Sequence, residues 1–224
     1  MKVGTDGVLL GAWAAVRPAD RTVLDIGTGT GLVALMLAQR TEPFASAPRV
    51  VGIDIEPVDQ ARENAAASPW AARVRFEQVP VQRFDPGHRF DLIVSNPPFF
   101  VDSLTCPDRG RTTARHAVSL PFEALRDAVV RLLAPGGRFA VVLPTEEGMR
   151  FEALCRGVLT LRRRTRVRTV PRREPKRVLL EFGPAQPAGS PALPVDDSLA
   201  IGTGEHETYT PEYRALTRDF YLKF

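Results

Sequence analysis

The first 180 residues alternate between short apolar runs of strand length and longer stretches with apolar positions three and four apart. Residues 23–26 form the first run, which ends in Gly27-Thr28-Gly29-Thr30-Gly31. Residues 32–39 follow with Leu32, Leu35 and Met36 on one face, the spacing of a helix. A second run over 50–53 closes on Asp54, and Pro57 stands where a helix would begin. Over 74–79, Val74 and Phe76 alternate with Arg75 and Glu77, a weaker third strand. Residues 91–95 are a fourth, running into Asn96-Pro97-Pro98-Phe99. A helical pattern over 121–133 stops at Ala134-Pro135-Gly136-Gly137, before a fifth strand over 138–143 and another helix over 146–158. Near the start, Thr5 or Asp6 reads as the N-cap of a helix over 8–16.

This β-α-β-α-β order predicts an α/β fold, an open and mostly parallel sheet with helices on both faces. Right-handed crossovers then bring the strand-end loops to one edge, where ligands bind. The tail differs. Residues 159–170 and 177–182 read as two extended segments around an arginine-rich connection. Residues 183–194 hold four prolines and two glycines, the composition of a loop. The expected organisation is one domain over 1–224, with a core over 1–183, a Pro/Gly-rich loop over 184–208 and an aromatic segment over 209–224 packed back on the core.

Composition narrows this picture. With 44% hydrophobic and 25% charged residues, the 224-residue chain is of the folded, water-soluble kind. Its apolar runs fall short of the roughly 18–20 residues of a membrane helix. The first residues carry neither the apolar stretch nor the cleavage site of a secretory signal. A cytoplasmic protein without membrane contact is expected. Cys106 and Cys155 lie far apart and without metal spacing, so two free thiols and no metal are expected. A monomer is the expected state.

Charge adds a candidate partner. The net charge is +4 with only three lysines, so the basicity is arginine. Between 162 and 177 stand eight arginines and one lysine against Glu174. Guanidinium forks match phosphate oxygens, which makes Arg162, Arg163, Arg164, Arg166, Arg172 and Arg173 candidates for binding RNA. Arg109, Arg111 and Arg115, which follow the Asn-Pro-Pro-Phe segment, are candidates for the same role. His116 beside them reads as a surface or structural histidine.

Two motifs carry candidate chemistry. In Gly27-Thr28-Gly29-Thr30-Gly31, a dinucleotide fingerprint would need glycine at Leu32. The spacing, with Asp25 two residues ahead, suits a nucleoside without a pyrophosphate. Asp54 ends the next strand and is placed to bind both hydroxyls of a ribose. In Asn96-Pro97-Pro98-Phe99, the Asn96 side-chain oxygen and the Pro97 carbonyl can accept both hydrogens of a planar amine. That helps free a lone pair otherwise delocalised into the ring. Consecutive prolines hold the two acceptors rigidly, and Phe99 offers a stacking face.

These residues resemble the S-adenosylmethionine site of the Rossmann-like class I methyltransferases. The resemblance implies seven strands with the last antiparallel. It places Asp25, Gly27, Gly29 and Gly31 under the methionine and ribose, and it implies methylation of a planar nitrogen, either a base amine or a glutamine amide. Release-factor glutamine methyltransferases carry an N-terminal helical domain ahead of this core, for which residues 1–26 leave no room. The ends are more specific. Lys2-Val3-Gly4-Thr5-Asp6-Gly7-Val8-Leu9-Leu10-Gly11-Ala12-Trp13, Ser68-Pro69-Trp70, Arg177-Val178-Leu179-Leu180, Tyr213-Arg214-Ala215-Leu216-Thr217 and Phe220-Tyr221-Leu222 resemble bacterial valine-tRNA adenine-N(6) methyltransferases. By that resemblance the segment from Lys2 to Gly7, with Lys2, Gly4 and Thr5 as its binding candidates, borders the methionine end of the cofactor, and a tRNA anticodon loop is the partner. Relatives usually carry a further segment before the lysine-valine-glycine-threonine motif. Many also carry an acid for the cofactor adenine where this chain has Val79-Pro80-Val81. Pro80 has no N–H, so that contact falls to Val81 and a weaker cofactor site is expected. A non-catalytic RNA-binding module is the reading of a different class.

Overall fold

A computed structural model describes residues 4–98, 120–186, 193–206 and 208–222. The apolar runs become one eight-stranded sheet in the order β3-β2-β1-β4-β5-β7-β6-β8. The strands are β1 (Thr22–Ile26), β2 (Arg49–Asp54), β3 (Val74–Gln78), β4 (Phe90–Ser95), β5 (Leu133–Pro144), β6 (Leu159–Arg168), β7 (Arg177–Pro184) and β8 (Val195–Ala200). Only β7 is antiparallel, to β5 on one side and β6 on the other. Helices α1 (Thr5–Trp13), α2 (Leu32–Arg40), α3 (Asp59–Ala66) and α6 (Pro211–Thr217) cover one face. Helices α4 (Phe122–Leu132) and α5 (Thr145–Cys155) cover the other. Both faces are dry. Val23, Leu92, Val94, Ala140 and Val142 point into the first core, and Leu24, Ile26, Ile93, Phe139 and Val141 into the second. That is why the central strands read as unbroken apolar runs and not as alternations.

Strands β1 to β7 match the seven expected, and β8 is an addition inside the span expected as loop. Hydropathy could not find it, because Leu199 is its only buried side chain. It is an edge strand, laddered in parallel to β6. Asp196 holds it there, accepting from Arg164 (2.9 Å) and Arg166.

Two boundaries also move. Strand β5 starts at Leu133, directly from α4. Phe90 pairs with Leu133 and Leu92 with Arg138, so residues 134–137 bulge out of the ladder. Helix α1 starts at Thr5 behind Gly4, with no side-chain cap. Asp6, expected as a possible cap, accepts instead from Arg177 Nε at 2.8 Å.

The other end of α1 explains why it stops at Trp13. Its residues Gly7 to Trp13 are all buried, and a buried helix end needs donors for its last carbonyls. Three arginines from three elements supply them. Arg40 donates to Gly11 (2.8 Å) and Ala14 (2.7 Å), and Arg163 donates to Trp13 (2.8 Å). Arg138 donates to Ala15 through Nη2 (2.9 Å) and Nε (3.2 Å). Arg138 is 1% exposed and pairs with the buried Asp20 at 2.5 Å. Removing one member of a buried pair strands the other charge. Arg138→Met should therefore lower unfolding free energy by about 3–5 kcal/mol in urea titrations. The double variant with Asp20→Asn should lose less than Arg138→Met alone.

Candidate active site

Strand order reverses between β1 and β4, the place where an open α/β sheet leaves a crevice. Ile26 pairs with Ser95 across that boundary, so Gly27 and Asn96 leave the sheet side by side. Ser95 Oγ, buried, donates to the Ile26 carbonyl at 2.8 Å and ties the two strand ends together. On the other flank, the Ile53 carbonyl accepts from both Gly27 N (2.9 Å) and Thr28 N (3.0 Å). The glycine loop, the end of β2 and the Asn-Pro-Pro segment thus meet at one point, as expected from sequence.

The loop needs its glycines for different reasons. Gly27 has φ of 74°, and a Cβ there would meet nothing within 4 Å, so its face is open to a ligand. Gly31, with φ of 80°, packs where a Cβ would lie 2.6 Å from the Phe76 ring. Asp54 closes the loop, accepting from Gly29 N (2.9 Å) through one oxygen and from Glu56 N (3.0 Å) through the other. Each carboxylate oxygen retains a second acceptor position, as a ribose diol requires. Asp25 behaves otherwise. It is 1% exposed beneath the loop, where it accepts from Thr28 Oγ1 at 2.7 Å. Its place is behind the loop backbone, which it holds in shape, and sequence reasoning gave no hint of the Thr28 bond.

Asn96 is half-buried, Pro97 buried and Pro98 exposed at the mouth. Helix α1 walls this corner. A Cβ on Gly7 would lie 3.8 Å from Asn96 Nδ2, so the helix approaches the asparagine through a glycine of the opening motif. Gly4 and Thr5 are exposed at the open end of the same helix. Val81 turns its side chain into the second core and gives its carbonyl to Arg131 Nη2 (2.8 Å). Only its N–H remains for the adenine contact expected of it. The arrangement fits S-adenosylmethionine in its open glycine face and its diol-matching acid. Lys2, Phe99, Arg109, Arg111, Arg115, His116 and Cys106 lie outside the described residues. A cavity of about 560 Å³ lined by Arg83, Phe84, His88, Arg89 and Arg131 sits away from this site, near the starts of β4 and β5.

Residues 19–162 match the model of a methyltransferase-domain family. A relative from Phocaeicola vulgatus, named tRNA1(Val) (adenine(37)-N6)-methyltransferase, is 48% identical over 223 residues, which span 99% of this chain and 91% of that one. One of the same name from Tolumonas auensis is 44% identical over 224 residues, 100% of this chain and 91% of that one. The chain belongs to the tRNA1(Val) (adenine(37)-N6)-methyltransferase family. Among solved structures, a predicted O-methyltransferase from Agrobacterium tumefaciens matches with a TM-score of 0.69 at 18% identity over 96% of each chain. The glycopeptide N-methyltransferase MtfA, solved with S-adenosylmethionine, matches at 0.55 and 14% over 82% of this chain and 100% of that one. At such identities the likeness concerns the fold.

For a member of this family the arginine-rich stretch divides in an unexpected way. Arg163 lies 3.6 Å over the Trp13 ring and pairs with Glu181 at 3.4 Å. Arg164 joins Glu152 to Asp196, and Arg166 also binds Asp196. Arg162 is the extra residue of a bulge between the pairs Leu161–Phe182 and Arg163–Glu181, with its guanidinium laid over Gly183. Within the near-uniform positive stripe expected over 162–177, Arg163, Arg164 and Arg166 are thus bonded internally, to acids from α5, β7 and β8. Arg172, Arg173 and Lys176 are different: they stand exposed on the β6–β7 turn. Strand β6 runs parallel to β5, so this turn lies on the same edge as Asn96. Thr145 Oγ1, at the C-terminal end of β5, confirms it by donating to the Pro175 carbonyl at 2.8 Å.

Among the described residues, no group of three potential metal ligands occurs and no helix is long and apolar enough to cross a membrane. Burial pushes the Cys155 thiol up to about 12, which makes it unreactive. Burial likewise raises the Asp25 carboxyl to about 7, with the charge of Asp54 adding to the rise and bonds from Thr28 and the Ala34 backbone opposing it. The folded state therefore holds this proton more tightly than the unfolded chain, and the fold loses stability as pH climbs from about 4 through 7. Asp25→Asn stays neutral throughout. Its stability relative to wild type should rise between pH 4 and pH 8, by something on the order of 4 kcal/mol, in urea titrations at several pH values.

Proposed function

We propose that this protein is a cytoplasmic enzyme that methylates the exocyclic N6 of adenosine 37 in the anticodon loop of a valine tRNA, using S-adenosylmethionine. The observation that carries the reading is likeness at 41–48% identity over nearly the whole chain to relatives named for that reaction. The motif alone left a glutamine amide open; relatives at 41–48% identity are named for the tRNA adenine reaction.

The bound cofactor supplies a methyl group already activated by its sulfonium, so the protein needs no covalent nucleophile. Gly27 and Gly29 let the backbone approach the cofactor, and Asp54 accepts from its ribose hydroxyls. The adenine N6 lone pair is delocalised into the ring. The Asn96 side-chain oxygen and the Pro97 carbonyl accept its two hydrogens, hold it in line and favour a tetrahedral nitrogen. Asn96 is an acceptor and a positioner, too weak a base to keep a proton; as the N–CH3 bond forms and the S–CH3 bond breaks, the nitrogen loses its proton to solvent water. Pro97 and Pro98 fix φ along the segment, and the buried Ser95 bond anchors its root to β1. Phe99 stacks on the base. An unpaired loop adenine is cheaper to swing out than one in a duplex.

Arg172, Arg173 and Lys176 supply the phosphate contacts on the substrate edge. Arg163, Arg164 and Arg166 are structural supports behind them.

The decisive test is transfer of labelled methyl to unmodified tRNA followed by nucleoside mass analysis. N(6)-methyladenosine is the expected product; label on any other nucleoside, or on protein alone, would refute the reading. Asn96→Ala should lower kcat by at least about 100-fold while calorimetry shows cofactor affinity within a few-fold of wild type. Arg172→Ala combined with Arg173→Ala should flatten the plot of log affinity for tRNA against log salt by about 1–2 units. Arg164→Ala should leave that slope unchanged, since Glu152 and Asp196 already balance its charge.

A further inference from the structure

The first turn of α1 stands against both halves of the crevice. A Cβ on Gly7 would lie 3.3 Å from Leu32 Cδ2, and 3.8 Å from both Val33 Cγ2 and Asn96 Nδ2. Leu32 and Val33 open the helix that follows the glycine loop, and Asn96 opens the Asn-Pro-Pro segment. One turn of backbone therefore sets the spacing between the loop that faces the cofactor and the asparagine that accepts the amine. In-line transfer depends on that spacing, and a displacement of about 1 Å costs roughly 100-fold in rate.

That turn is weakly held by its own helix. Gly4 at the N-cap brings no side chain, and the first helical bond, from Val8 N to the Gly4 carbonyl, is long at 3.4 Å. Its tie to the sheet runs through Asp6, whose Oδ2 accepts from Arg177 Nε at 2.8 Å. A carboxylate in the first turn also suits the positive end of the helix dipole. Arg177 is a firm anchor. It is the first residue of β7, paired with Pro144 of β5 on one side and Val167 of β6 on the other. Lys176 N, just before it, donates to the Val167 carbonyl (2.9 Å), and Arg177 Nη1 donates to the Lys176 carbonyl (3.0 Å). Pro144 ends β5 on the edge that carries Asn96, so anchor and site share that edge. The two side chains are 24% and 33% exposed, partly withdrawn from water, where a charge-assisted bond is less screened. The bond joins residues 171 positions apart, and both lie in the end motifs that the reaction chemistry leaves without a role.

We propose that Asp6 and Arg177 are a positioning pair for methyl transfer, whose bond holds α1 against Asn96 and the root of α2 and so keeps amine acceptor and cofactor aligned. It rests on the methyl-transfer reading above. The pair acts through Gly7 and leaves the grip on tRNA untouched.

The test is a double-mutant cycle of Asp6→Asn and Arg177→Met, with Arg177→Lys as the conservative variant. It reads kcat on an unmodified valine tRNA transcript, cofactor affinity by calorimetry, tRNA affinity, and thermal melts as the check on folding. Each single change should lower kcat about tenfold and raise the S-adenosylmethionine Kd about fivefold, with tRNA Kd changed less than about twofold. The double variant should lose no more than the worse single one, because its second change removes a bond already broken. Arg177→Lys still reaches the carboxylate and should recover most of both losses. Losses that multiply to about 100-fold in the double variant would overturn the pair, since they would mean two independent roles. A lowered melting point with kcat and cofactor Kd unchanged would overturn it as well, leaving a merely structural bond. So would a loss of tRNA affinity confined to Arg177→Met, which would make Arg177 an RNA contact. Wild type that binds cofactor without methylating tRNA would refute the catalytic reading, while the cycle in cofactor Kd would still judge the pair.

Discussion

The carbonyl end of α1 is where this fold is tied together. A helix buried from Gly7 to Trp13 cannot leave its last carbonyls bare. Guanidinium groups answer both needs at once: they donate several hydrogen bonds, and their charge suits the negative end of the helix dipole. Arg40 comes from the end of α2, Arg138 from β5 and Arg163 from β6, so one helix end binds three separated parts of the chain. Trp13 adds its own tie, donating from Nε1 to Thr165 Oγ1 at 2.8 Å. At the opposite end Asp6 is held by Arg177 of β7. Fixed at both ends, α1 presents Gly7 to Asn96 and supports Leu216 and Phe220 of the C-terminal segment against Val8 and Ala12. The reaction loop and the chain end therefore share one support.

That role calls for arginine at these three positions and not lysine. Capping a carbonyl while stacking on an indole, as Arg163 does, needs a flat, multi-donor cation. Burial pushes the Arg40 guanidinium below its ordinary value, with the nearby Arg163 charge adding to this. An ammonium placed there would surrender its charge far more readily. Two functions thus draw on one residue type, and local composition cannot separate them.

What the sequence reveals follows from where the partners lie. Strands β1, β2, β4 and β5 were legible because burial on both faces writes itself into consecutive residues. The glycine loop, Asp54 and Asn96-Pro97-Pro98 were legible because each is a local pattern at a strand end. Strand β8 was not, since an edge strand with one buried side chain is held by its ladder and by Asp196. The division of the arginines was equally hidden. Arg164 finds Glu152 on α5 and Asp196 on β8, and Arg163 finds Glu181 on the neighbouring β7. Charge counted along the chain sees only Glu174. Asp25 stood out in the sequence as a cofactor-site candidate, but its burial under Thr28, behind the loop, needed the fold.

The single antiparallel strand shapes the substrate side of the molecule. In a purely parallel sheet every strand would return through a crossover, and its start would lie on the edge away from the site. Because β7 runs against its neighbours, it joins β6 by a short turn on the active edge itself. That turn brings Arg172, Arg173 and Lys176 to the same edge without a helix in between. The parallel β8 then delivers residues 201–210 to the same edge, one strand further out. Sheet direction alone thus gathers the glycine loop, the Asn-Pro-Pro segment and the basic turn along one edge. A crevice at the strand reversal and a basic turn on the same edge are therefore consequences of strand direction before any side chain is chosen.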